Sequence, residues 1–192
     1  MMRPTLLLAP LALTLAAGTL GAQAVRRPAP STRATAEVSL TYPQGQAPAG
    51  ATPAVIRVDY GQPHLRGRAM FTDSLVPYDK PWRTSANAST TLRTDVALEL
   101  GGATLPAGTY VLFTLPARAG WKLIVQRSEA QSATQYDAQF DVARVDLRQR
   151  TLASPIESLS IWLVPSTQPG AARGELRLAW GTTELSTDWT VK

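Results

Sequence analysis

Residues 94–116, TDVALELGGATLPAGTYVLFTLP, decide the fold class. Val96, Leu98 and Leu100 alternate with polar or small residues and run into Gly101-Gly102. A Gly-Gly pair accepts the positive φ of a tight hairpin turn, so a strand, a two-residue turn and a second strand are expected. Tyr110 to Leu115 is apolar at almost every position. A strand that is apolar on both faces belongs in the middle of a sheet. Just ahead of it, Pro106, Gly108 and Tyr110 are spaced as in the tyrosine corner of β-sandwiches, where the tyrosine hydroxyl ties back to an upstream backbone group.

The pattern holds on both sides of this stretch. Val38, Leu40 and Tyr42 alternate with polar residues, and so do Ile56, Val58 and Tyr60 in AVIRVDY. WKLIVQR follows a turn at Gly120, and DVARVDLRQR, SLSIWLVP and GELRLAWGTTELSTDWTV supply further strands, the last bent at Gly181. No stretch holds a 3.6-residue apolar period over three turns. Many short strands with closely spaced turns predict an all-β chain: a single-domain antiparallel β-sandwich, immunoglobulin-like or jelly-roll-like, with a β-barrel as the alternative.

The chain has 192 residues. Met1-Met2-Arg3, the apolar run Leu6 to Leu20 and Ala22-Gln23-Ala24 have the make-up of a secretory signal peptide over residues 1–24. The run is broken by Pro10 and Gly18 and is shorter than the ~20 apolar residues of a spanning helix. Export to the periplasm or the extracellular space is therefore expected, with no membrane span. Residues 25–36, VRRPAPSTRATA, have the composition of a disordered tether. Residues 37–192 are left as the folded domain. There is no cysteine, so neither disulfides nor lipidation on cysteine can occur, and the fold must rest on its core.

The formal charge of +5 comes from 19 Lys+Arg against 14 Asp+Glu. Setting aside Arg3 in the leader and Arg26, Arg27 and Arg33 in the tether leaves 15 against 14. A nucleic-acid partner is not expected of so nearly neutral a domain. His64 is the only histidine, which leaves a serine triad dependent on it and a zinc site short of ligands. No Gly-x-Ser-x-Gly elbow, phosphate loop or dinucleotide fingerprint is present. Asp137, Asp141 and Asp146 lack the spacing of a calcium loop. No metal and no cofactor is expected.

The densest set of costly side chains is VPYDKPWRTSAN, residues 76–87. Together with DYGQPHLRGRAMF, LPAGTYVLFTLP, WKLIV and LRLAWGTTEL, it resembles a bacterial family of exported proteins, the domain of unknown function 2911. The resemblance spans roughly 42–191. In its most specific block the family pattern runs Pro-Tyr-Gly-x-x-Trp-Arg-x-Gly-Ala-Asn-Glu-Ala-Thr. Pro77, Tyr78, Trp82, Arg83, Ala86, Asn87 and Thr90 match; Asp79 and Ser85 stand where the family usually has Gly, and Ala88 where it has Glu. The resemblance implies a compact exported β-rich domain and implies no reaction.

Two readings of the block compete. As a loop anchor, Trp82 and Tyr78 would plug the end of the sandwich, Arg83 would pair with a carboxylate such as Asp59, and Asn87 would satisfy loop backbone. As a site, aromatic faces would stack on sugars or flat ligands while Arg and Asn orient them. The candidate ligand-binding residues are Asp59, Tyr60, Arg68, Tyr78, Trp82, Arg83 and Asn87. A monomeric, non-enzymatic module binding a small molecule or a glycan is the favoured function. One alternative is an envelope glycoside hydrolase, its acid drawn from Asp59 or Asp79, which with Asp73 could gather at one cleft. The other is a surface protein–protein interaction module with an exposed apolar patch.

Overall fold

The computed structural model describes residues 27, 29–72, 74–128 and 135–192; the expected signal peptide lies outside them. Nine strands form one antiparallel sheet: β1 (Thr32–Leu40), β2 (Ala54–Gln62), β3 (Thr90–Thr94), β4 (Leu98–Leu100), β5 (Ala103–Leu105), β6 (Gly108–Ala117), β7 (Gly120–Arg127), β8 (Asp141–Pro165) and β9 (Arg173–Val191). The strand order is β1-β2-β3-β6-β7-β8-β9-β4-β5. β1 and β5 are free edges, so the sheet does not close into the alternative barrel. It bends over its own apolar face instead. Ile56, Val58, Leu92, Leu112 and Leu123 from one end meet Leu98, Leu176, Leu178, Leu185 and Trp189 from the other in one buried core. No helix among the described residues is long and apolar enough to cross a membrane.

The segment that decided the fold class behaves as its residues require. Leu100 pairs with Ala103 around Gly101 (φ 54°) and Gly102 (φ 88°), a turn left-handed at both positions. β6 lies between β3 and β7. Tyr110 and Leu112 enter the main core, while Val111 and Phe113 form a second cluster with Ile124 on the opposite face. The Tyr110 hydroxyl donates to the Pro106 carbonyl at 2.7 Å, completing the tyrosine corner.

Two boundaries differ from the sequence reading. β1 begins at Thr32, so five residues assigned to the tether are strand, paired from Thr32–Gln62 to Ala36–Val58. Their Pro- and Ala-rich context reads as linker, yet Ala34 packs on the core. DVARVDLRQR and SLSIWLVP belong to one strand, because β8 is continuous through Pro155. That proline falls within the register shift between Thr151 and Ile156, where no ladder N–H is needed. Tyr60 faces inward and is buried, and its hydroxyl accepts the Ile161 N–H at 3.1 Å. It belongs to the core and not to a binding surface.

Candidate functional site

The connection from Pro63 to Ser89 carries the aromatic block, and its backbone is secured at both ends. Trp82 and Thr114 exchange N–H···O bonds of 2.7 and 2.8 Å, and Asp79 N–H donates to Pro116 O at 2.7 Å. Residues 79–82 thus extend the sheet beside β6 where β3 has ended. Further on, the Ser85 hydroxyl accepts the Gly61 N–H at 2.7 Å and Ala86 N–H donates to Gly61 O at 3.2 Å. Thr84, fully buried, donates from its hydroxyl to Thr114 Oγ1, and Thr90 donates to Thr84 O. Nearly every buried polar group of the loop has a partner, as burial demands.

The aromatic rings close one end of the core. Trp82 stacks on Trp180 with centroids 5.7 Å apart, and Tyr78 stacks on Phe71 at 4.6 Å. Phe71 meets Trp121 edge-on, and Arg118 lies over the outer face of Tyr78 at 4.7 Å. The apolar space beneath Trp82 and Trp180 is about 20 Å³, room for little more than one water. Trp82 thus has one ring face covered from within the chain, and Tyr78 has both.

The other side of the same block borders a recess of about 360 Å³, walled by Pro77, Pro81, Trp82, Arg83, Phe113 and Tyr136. This is within the range of small-molecule sites. Arg83 is half-buried and donates from Nε to Ser85 O at 3.2 Å. Its two Nη groups have no partner among the described residues. The expected ion pair with Asp59 does not form. Tyr136 is fixed as a wall: its ring meets Phe113 edge-on, its hydroxyl donates to Asp141 at 2.8 Å, and Arg144 donates to that hydroxyl. Burial, and next the hydrogen bond with Asp141, raise the Tyr136 phenol above its ordinary value.

The remaining candidates are dispersed. Asp59, on β2, accepts Arg57 in a two-point contact of 2.7 and 3.0 Å and the Thr35 hydroxyl at 2.6 Å. The Arg57 hydrogen bond holds its carboxyl below the usual carboxylate range. Arg68 is spent on the carbonyls of His64 and Leu65. Asn87 is exposed at φ 62°. Asp79 is exposed at φ 59°, and Asp73 lies outside the described residues.

One pairing was invisible in the sequence. His64 Nδ1 lies 2.6 Å from the hydroxyl of Ser158, 94 residues away, across an isolated β-bridge. No carboxylate among the described residues orients the other ring nitrogen, so the triad geometry is incomplete. No metal-ligand cluster occurs among the described residues.

A family model described as "Protein of unknown function (DUF2911)" matches residues 43–188. No curated protein and no solved structure shows a significant match to the chain.

Proposed function

The chain belongs to the DUF2911 family of proteins of unknown function, and on that premise we propose that it is an exported, non-enzymatic domain that binds a small organic ligand in the recess beside Trp82 and Arg83. The observation that carries this reading is Arg83. Arg83 is half-buried, and among the described residues neither of its Nη groups has a partner, which leaves its fork free for a group from outside the chain. It stands in the wall of a recess that also presents the rings of Trp82, Phe113 and Tyr136, the edges of Pro77 and Pro81, and the polar side chains of Ser74 and Gln135. Those walls suit a ring, and the fork of Arg83 suits a carboxylate or paired hydroxyls on that ring.

The hydrolase alternative finds less support. A general acid needs a carboxyl whose pKa is raised, and the Arg57 contact lowers that of Asp59. For the interaction-module alternative, the large exposed hydrophobics among the described residues are Tyr42, Val142, Trp162 and Val164.

The reading is tested by thermal shift and tryptophan fluorescence against a panel of aromatic carboxylates, uronic acids and neutral sugars. At least one ring-bearing acid should raise Tm and change the emission of the wild-type protein. Arg83→Ala should abolish that response while shifting the melting temperature of the free protein by only about 2 °C, since one backbone bond is lost. A panel that leaves the wild type unmoved, or a response that survives Arg83→Ala, would refute it.

A further inference from the structure

β9 is bent into two arms at Gly181, which sits at φ 57°. The arms meet again at their far ends, where Val191 N–H donates to Ala172 O at 2.8 Å and Gly174 packs against the Trp189 ring. Between them, on the face away from the core, runs a groove of about 280 Å³. Arg148, Gln149 and Arg150 of β8 line one side; Glu175 and Arg177 of the first arm and Glu184 and Ser186 of the second line the rest.

The side chains in this groove hold one another in place. Arg148 clamps Asp188 through both Nη groups at 2.7 and 2.8 Å and reaches Glu175 at 3.0 Å. Arg150 donates from Nε and Nη2 to one oxygen of Glu184, and Arg177 donates from Nε and Nη2 to Glu175. The carboxylate of Glu184 lies beneath, 13% exposed, with the Arg150 guanidinium above it, 65% exposed. Among the described residues this leaves unpartnered Nη1 of Arg150, Nη1 of Arg177, Nε of Arg148, the second oxygen of Glu184 and the Ser186 hydroxyl. The groove's walls hold three arginines and two glutamates, and Asp188, which lies outside the walls, is the third carboxylate that engages these arginines. At the rim Trp162 pairs across the ladder with Arg177, so the two side chains share a face, and the indole is 38% exposed.

We infer that this groove is a binding site for a neutral oligosaccharide. Vicinal hydroxyls donate and accept at once, as a fixed Arg–carboxylate array does, and an exposed indole offers a flat apolar face to a sugar ring. A polyanion would meet two carboxylates in the groove and three guanidiniums that carboxylates of the chain already engage. The pre-set geometry lowers the ordering cost that makes weak saccharide contacts ineffective elsewhere on a surface. The groove shares no residue with the recess beside Arg83.

Calorimetric titration of the protein with cellohexaose, maltohexaose, chitohexaose and xylohexaose, with polygalacturonate as the charged comparison, tests the inference. At least one neutral hexasaccharide should saturate the protein. Trp162→Ala should weaken that binding at least tenfold with Tm within about 2 °C of the wild type. Arg150→Lys keeps the charge over Glu184 but removes the planar fork, and should weaken it several-fold. Arg83→Ala should leave it unchanged. Saturation by none of the four, binding of polygalacturonate alone, or loss on Arg83→Ala with retention in Trp162→Ala would each overturn it.

Discussion

At the scale of single residues, the block at 76–90 depends on backbone conformations that most side chains avoid. Asp79, Thr84 and Asn87 sit at φ 59°, 54° and 62°. For Thr84, a β-branched residue, that is a true outlier, held in place by its hydroxyl contacts to Thr114 and to Trp82 O. Gly61 has the opposite constraint: its φ is ordinary, but a Cβ there would overlap the Ala86 carbonyl and lie 2.9 Å from Ser85 Oγ. Two glycine exchanges should therefore act in opposite directions. Gly61→Ala should destabilise by about 3 kcal/mol, because backbone must move. Asp79→Gly, at a site where the resembling family usually has Gly, should stabilise by up to about 1 kcal/mol by relieving the left-handed strain. Urea unfolding of the two variants measures both. The resemblance singled out Asp79 as a departure; the close approach at Gly61 could not be read from the chain, because Ala86 lies 25 positions further on.

At the scale of elements, β8 and β9 carry most of the exposed ion pairs. Most of their outward positions are polar or charged, though Val142, Trp162 and Val164 of β8 are exposed as well. The pairing partners are decided elsewhere, by the bulges of β8 and the bend at Gly181, which bring Glu175 and Asp188 of opposite arms to one arginine. The Arg148 hydrogen bonds hold the Asp188 carboxyl below its ordinary 3.8, as Arg57 does for Asp59. A carboxylate depressed in the folded state contributes stability above its unfolded pKa and loses it as pH falls through the folded value. Stability in urea should thus be level from neutral pH down to about 5 and should fall below 3.8, where the unfolded chain takes up protons first. The double variant Asp59→Asn, Asp188→Asn should show a shallower fall; an equal fall would mean that other carboxylates govern the acid limb. Exposed pairs of this kind contribute little each, so the difference will be small.

At the scale of the whole molecule, the two free edges of the sheet matter most. β1 covers the edge of β2 along nine residues, and Arg33 reaches over the top to donate to Ser89 O at 3.3 Å. A chain beginning at Glu37, the boundary that composition suggests, would strip five of those residues and expose the β2 edge. Compared with a chain beginning at Thr32, it should lose about 2 kcal/mol and melt roughly 4–8 °C lower. Equal melting points would show that the first half of β1 adds nothing to the fold.

The all-β class, the hairpin at Gly101-Gly102, the central place of β6 and a Tyr110 hydroxyl tied back to an upstream backbone group are legible in the sequence alone. Each of these rests on a period-two pattern or on a turn residue within a few positions of its partner, so local chemistry suffices. What covers the rings of the block around Trp82 is visible only once the chain is folded. Whether an aromatic ring is an anchor or a platform depends on which of its faces is covered, and the covering residues, Trp180 for Trp82 and Phe71 for Tyr78, come from elsewhere in the chain. The same holds for charge. Arg83 and Asp59 are plausible partners by type, yet Asp59 is satisfied by its own strand and Arg83 is left facing the recess. Pairing of that kind follows from distance in space, which no single stretch of sequence specifies.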